Sequence, residues 1–253
     1  MIQLQQSPLT INPIATHSNP LSTHQPTPSS SFVGARSSVD LSNFSHRPNS
    51  TSTFTDTQVT LNALLPGSMI TANAVANAVF IGGTNVPLNQ TIGIIDALSV
   101  VEGSGFGYEG KSIARTNIKG LDFYISPKET FTFNFQGTMS LTAEGDRRRQ
   151  REFARSKTTL SIYGTDSCGT QTLLDQLSIK GKQYNNRNSL SVGTNNLSKS
   201  FKLNIQSNSL SLGSNDISFN GTYSRTFKDA MRITVVETQQ TIAKVSFRGL
   251  RSA

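Results

Sequence analysis

Tryptophan is absent from this chain of 253 residues, cysteine occurs once and histidine only three times. The single Cys168 excludes an intramolecular disulfide framework. His17, His24 and His46 all fall within the first 52 residues, so everything beyond Phe54 is without imidazole. That removes the base of a serine–histidine triad, the partner of a reactive cysteine and the commonest zinc ligand from most of the chain. Cys168 lies in a Gly/Ser/Asp turn with no base beside it and reads as an inert loop thiol. Glu102 with Glu109, and Asp122 with Glu129, are the remaining acid–base candidates. A glycosidase needs such a pair, together with aromatic sugar platforms that no Trp and only 5 Tyr supply poorly. The expectation is therefore a non-enzymatic protein, with no catalytic, cofactor-binding or metal-binding residue to assign.

Charge and apolar runs are scarce as well. Charged residues make up 15% and hydrophobic ones 35% of the chain. The longest apolar candidate, residues 70–82, is interrupted by Thr71, Asn73 and Asn77 and falls short of the roughly 18 residues of a membrane helix. The first 20 residues show neither the charged start nor the apolar run of a signal peptide, and Arg251-Ser252-Ala253 carries no sorting or lipidation motif. As written, the sequence reads as having no export signal, and a cytoplasmic location stays open.

What fills the space is Ser, Thr, Asn, Gln and Gly, the composition of half-buried sheets with small polar outer faces. Residues 1–52 hold Pro8, Pro13, Pro20, Pro26, Pro28 and Pro48 among polar residues. Such a stretch buries too little apolar surface to offset its ordering entropy and is expected to be a disordered arm. Met1–Gln5 alone has a pattern that could add to a sheet edge. Residues 53–253 are expected to form one β domain.

Within it, Phe131, Phe133, Phe135, Met139 and Leu141 share one side of an alternating run whose other side is Thr, Asn, Gln and Ser. That period marks a strand with one buried face, and Gly137 on the inward side predicts a bulge or a close neighbour. Strands are also predicted at 92–102, 118–126, 158–163, 173–180, 201–206, 217–227, 232–237 and 242–247. Residues 58–65 are a weaker strand candidate, and 70–81 fit a strand or a short helix. Turn residues separate the strands and no amphipathic helix competes. The fold class is all-β, an antiparallel sandwich or jelly-roll-like domain. Asn188–Asn195 recurs in similar form as Asn208–Asn215, read as two strand-plus-turn units of one sheet.

Two motifs invite a chemical reading. Gly105-Phe-Gly-Tyr-Glu-Gly110 satisfies G-x-G-x-x-G, but no helical stripe follows to aim amides at a pyrophosphate, so a glycine-rich loop or edge is expected. Asp146–Arg155 holds Arg147, Arg148, Arg149, Arg151 and Arg155 between two predicted strands. Guanidinium groups clamp phosphate, sulfate or carboxylate bidentately, so the segment reads either as a solvated hairpin loop or as the candidate polyanion site. The net charge of +8 suits such a partner and equally serves to keep a soluble protein dispersed. Nucleic acid is not expected, because interleaved aromatics and a groove-reading helix are missing.

Pro127–Gly137, the strand around Thr159–Tyr163, Leu174–Ile179, Asn220–Phe227 and Ile233–Glu237 together resemble a group of cyanobacterial exported β proteins, many of which carry a C-terminal exosortase (PEP-CTERM) sorting signal. The resemblance spans about residues 118–247 and implies an extracellular or cell-surface sandwich rather than an activity. The expected function is that of a structural or interaction protein, with self-association or an anionic glycan as partner. The alternative is a binding module for acidic polysaccharide or another polyanion through the arginine-rich loop.

Overall fold

The structure, a computed structural model, describes residues 30–248 except 65, 83–85, 106, 146–149, 185–186, 196–197 and 212–213. Its strands are Ser30–Ser42 (β1), Ser50–Ala63 (β2), Met69–Ile81 (β3), Ile92–Ser104 (β4), Gly107–Ile125 (β5) and Thr130–Glu144 (β6), followed by Gln150–Thr165 (β7), Gln171–Tyr184 (β8), Arg187–Asn195 (β9), Phe201–Ser211 (β10), Ser214–Thr226 (β11) and Met231–Arg248 (β12). They form two six-stranded antiparallel sheets, ordered β10-β11-β6-β1-β4-β3 (sheet A) and β2-β5-β12-β7-β8-β9 (sheet B). The sheets pack face to face, as the all-β sandwich expectation required. Among the described residues no helix is long and apolar enough to cross a membrane.

The arm expected at residues 1–52 is corrected from Ser30 onward: residues 1–29 lie outside the described residues, whereas β1 runs through the interior of sheet A between β6 and β4. Its inward side is Val33, Ala35, Ser37, Val39 and Leu41, all fully buried. Two of these five are Ala and Ser, so the alternation is nearly silent in a Ser-rich stretch. Residues 232–237 and 242–247, expected as separate strands, are one continuous β12. Its inward side carries Glu237, Gln239 and Thr241 between Val235 and Ala243, and these polar residues broke the apolar period. The two similar Asn-Ser segments are also corrected: Asn188–Asn195 lies in β9 of sheet B, whereas Asn208–Asn215 spans the end of β10 and the start of β11 in sheet A.

The interior divides into two apolar clusters. The larger gathers Phe123, Phe131, Phe133, Phe135, Phe201 and Tyr223, with Phe131 and Phe123 ring centroids 4.7 Å apart. The smaller is built on Val33, Val101, Tyr108, Leu141 and Val245. Polar side chains are also buried between the sheets, where the Ser99 hydroxyl meets the Thr241 hydroxyl at 2.9 Å and Gln239 Nε2 donates to Ser37 Oγ at 2.7 Å. Gly137 on β6 has the close neighbour its inward position predicts. A Cβ there would come within 2.5 Å of the Phe219 ring and 2.6 Å of the Ser38 carbonyl oxygen. Because the second obstacle is backbone, Gly137→Ala is expected to cost about 1–3 kcal/mol through overpacking. Urea denaturation checks it, and an unchanged midpoint would show that the ring alone absorbs the methyl group.

Candidate anionic-ligand face

A strand buried on one side turns every second residue outward. On β7 the outward residues at its first end are Arg151, Phe153, Arg155 and Lys157; on β8 they are Lys180, Lys182 and Tyr184. Antiparallel register sets Lys157 directly opposite Lys180 and Arg155 directly opposite Lys182. On the two strands to the other side of β7, Lys111 of β5 faces Lys244 of β12. Directly opposed like charges sit with their Cβ atoms only about 5 Å apart and destabilise a sheet. Three such pairs on one face therefore work against folding.

Acids offset this only on the side of β2 and β5. Asp56 holds Arg115 at 2.6 Å, and Glu109 lies 3.6 Å from Lys244. Among the described residues no carboxylate faces outward from β7 or β8. The consequence is visible at Lys157. Partial burial, then the charges of Lys180 and Arg155, hold its ammonium below the ordinary lysine range. Arg155 Nε is buried and has no hydrogen-bond acceptor among the described residues. Among the described residues, the cations of β7 and β8 thus face one another with no outward acid on either strand.

Of the five arginines anticipated for this role, Arg151 is exposed and Arg155 half-buried, both on the outer face of β7; Arg147, Arg148 and Arg149 lie outside the described residues. The expected loop is thus corrected at its second half. Gln150 onward is strand, hidden because the inward side there is Glu152, Ala154 and Ser156 rather than large apolar residues. Sequence reading missed Lys157, Lys180, Lys182, Lys111 and Lys244. The i, i+2 spacing of Arg155 with Lys157 and of Lys180 with Lys182 was the available signal, since it places each pair on one side of a strand.

Other candidate groups resolve differently. Glu102 and Glu109 do not converge: Glu102 stands on sheet A, and Glu109 faces outward from sheet B beside Lys244. Burial alone would raise the Asp122 carboxyl, but bonds from Thr234, Arg232 and Ser50 outweigh it and hold it below the usual carboxylate range. Gly105 follows β4 with φ 100°, Gly107 is the first residue of β5, and Tyr108 after it is buried. Cys168 is exposed in the β7–β8 turn, where the Asp166 carboxylate accepts its backbone N–H at 2.9 Å.

His46 requires a correction, since it belongs to the folded domain and not to an arm. Its Nδ1 lies 2.7 Å from Ser45 Oγ and its Nε2 3.3 Å from Glu129 Oε2. The Ser126 amide, then His46, hold the Glu129 carboxyl below its ordinary value. The arrangement has triad-like connectivity, but Ser45 Oγ accepts the Thr132 amide at 2.9 Å while the Ser45 amide donates to the Thr132 carbonyl at 2.9 Å. Ser45, His46 and Glu129 thus clasp the β1–β2 connection to the start of β6. Among the described residues no group of three His, Cys, Asp or Glu side chains converges as a metal site.

Comparison with protein-family models, with curated proteins and with solved structures finds no match to this chain.

Proposed function

We propose that the protein is a non-enzymatic interaction module that holds an extended anionic polymer against the outer face of sheet B. The observation that carries this reading is the set of opposed cations, Lys157 with Lys180 and Arg155 with Lys182, with no outward acid on either strand. A sheet tolerates such pairs at a cost, and a polyanion laid across them converts mutual repulsion into attraction. A purely structural surface would gain from interspersing the two signs of charge. The resemblance to exported cyanobacterial β proteins supports an extracellular or cell-surface setting, where acidic glycans are abundant partners. Fractionation of the host into cytosol, envelope and medium tests that setting, and recovery only in the cytosol would overturn it.

The face itself is tested by the double substitution Lys157→Ser with Lys180→Ser. Two effects of opposite sign are expected. Relief of the like-charge contact raises stability by about 0.2–1 kcal/mol. Elution from a carboxylated or sulfated matrix shifts to markedly lower salt, because fewer protein charges oppose the matrix. Elution at the wild-type salt concentration would exclude the face as the binding surface.

A further inference from the structure

Sheet register places the outward residues of neighbouring strands in rows. One row runs Asp56, Arg115, Gln240, Lys157, Lys180; the next runs Phe54, Asn117, Thr238, Thr159, Ser178. Between these rows lies a groove of about 240 Å³ lined by Phe54, Asn117 and Thr238 along one side and Arg115, Gln240 and Lys157 along the other. From Phe54 on β2 to Lys157 on β7 it crosses three inter-strand spacings, about 14 Å. It enters the cationic face at Lys157.

Three features of this groove are left unsatisfied by the described residues. The Phe54 ring is 60% exposed on an edge strand, although an aromatic that size ordinarily packs. Asn117 Oδ1 is buried without a hydrogen-bond donor among the described residues. Lys157 keeps a charge that burial and its neighbours Lys180 and Arg155 disfavour. Arg115, by contrast, is already engaged by Asp56.

We propose that this groove is a subsite for an acidic sugar residue, a uronate, within a longer polysaccharide; the inference rests on the polyanion reading and specifies its chemistry. A pyranose ring offers an apolar C–H face, a rim of hydroxyls and, in a uronate, one carboxylate. Phe54 supplies a flat apolar platform for the ring face. The amides of Asn117 and Gln240 both donate and accept, which suits hydroxyls. Lys157 takes the carboxylate, and Lys180 and Arg155 behind it lead toward the next anionic unit. A bare polyphosphate would use the cations and leave Phe54 and both amides idle. A single-stranded nucleic acid needs a succession of stacking rings, and the groove has one.

The test uses the full chain and three probes at one ionic strength: polygalacturonate, polyphosphate and oligothymidylate. Phe54→Ala and Gln240→Ala are each expected to weaken polygalacturonate binding about tenfold, equivalent to ~1.4 kcal/mol, and to leave polyphosphate unchanged. Lys157→Ser weakens both. An unchanged melting temperature confirms that the Phe54→Ala chain is folded, as its exposure leads one to expect. Polygalacturonate binding unaffected by Phe54→Ala and Gln240→Ala, with wild type still retaining both polyanions, would overturn the subsite and leave the cationic face standing. A loss confined to oligothymidylate would replace the sugar by a nucleobase. Wild-type protein that binds none of the three would overturn the polyanion reading, and the subsite with it.

Discussion

Arg225→Met is expected to destabilise the protein by about 3 kcal/mol, measured by urea denaturation at pH 7. The reason lies across the sandwich, on β8. Asp175 is fully buried there, and its Oδ2 accepts the Tyr223 hydroxyl at 2.8 Å and Arg225 Nη1 at 2.8 Å. Its Oδ1 has no partner among the described residues. Removing the guanidinium strands a buried negative charge with one neutral donor. Losses of this kind fall in the range of about 3–5 kcal/mol, and the lower end applies because a third of the Arg225 side chain reaches solvent. Burial, and then the Asp175 charge, also push the Tyr223 hydroxyl far above its ordinary range, so Tyr223 stays protonated and donating. Adding Asp175→Asn to Arg225→Met should recover most of the loss, since a neutral amide still accepts from Tyr223 and carries no charge. A single variant that loses less than about 1 kcal/mol would show that the pair is solvated like a surface salt bridge.

Glu237→Gln should gain stability relative to the wild type as pH rises from 4 to 7, by an increment that grows over that interval. Glu237 points inward from β12, is fully buried, and neither carboxyl oxygen has a hydrogen-bond partner among the described residues. Burial, then the charge of Asp40, raises its pKa well above the ordinary glutamate value. Below the unfolded-state pKa both forms of the chain hold the proton, and the residue contributes no pH dependence. As pH rises through that value, only the unfolded chain ionises. Stability then falls by about 1.4 kcal/mol per pH unit until the folded carboxyl itself titrates. Glutamine removes that slope. Its own buried N–H groups add an offset that does not vary with pH, so the readout is the change in the stability difference between pH 4 and pH 7. A difference that stays constant over this interval would mean that the carboxyl is hydrated or paired in solution.

Both predictions concern polar groups inside a sandwich, and the same groups determined what could be read in the sequence. The run Phe131, Phe133, Phe135 announces β6 because three large side chains at period two have no other economical arrangement. β1 is just as central, yet Ala35 and Ser37 on its inward side produce no hydrophobic contrast. β12 reads as two strands because Glu237, Gln239 and Thr241 occupy inward positions. Two of the three find partners across the sandwich, Thr241 with Ser99 and Gln239 with Ser37, whereas Glu237 has none among the described residues.

The candidate site follows the same division. Arginine enrichment before β7 is visible as a run along the chain, and it pointed to a polyanion. The lysines that complete the face come from β5, β8 and β12, and nothing local marks them as neighbours of Arg155. By itself, the sequence determined the all-β class, the alternating strands with large apolar sides, and the scarcity of imidazole. Those are matters of composition and short-range period, set by how an extended chain displays its side chains. Only the tertiary structure decided that Ser30–Ser42 is an inner strand, that His46 joins Ser45 and Glu129, and that Lys157 faces Lys180 beside a groove holding Phe54. Strand order and register govern each of these. They arise from the packing of two whole sheets against each other, a long-range balance that no single segment encodes.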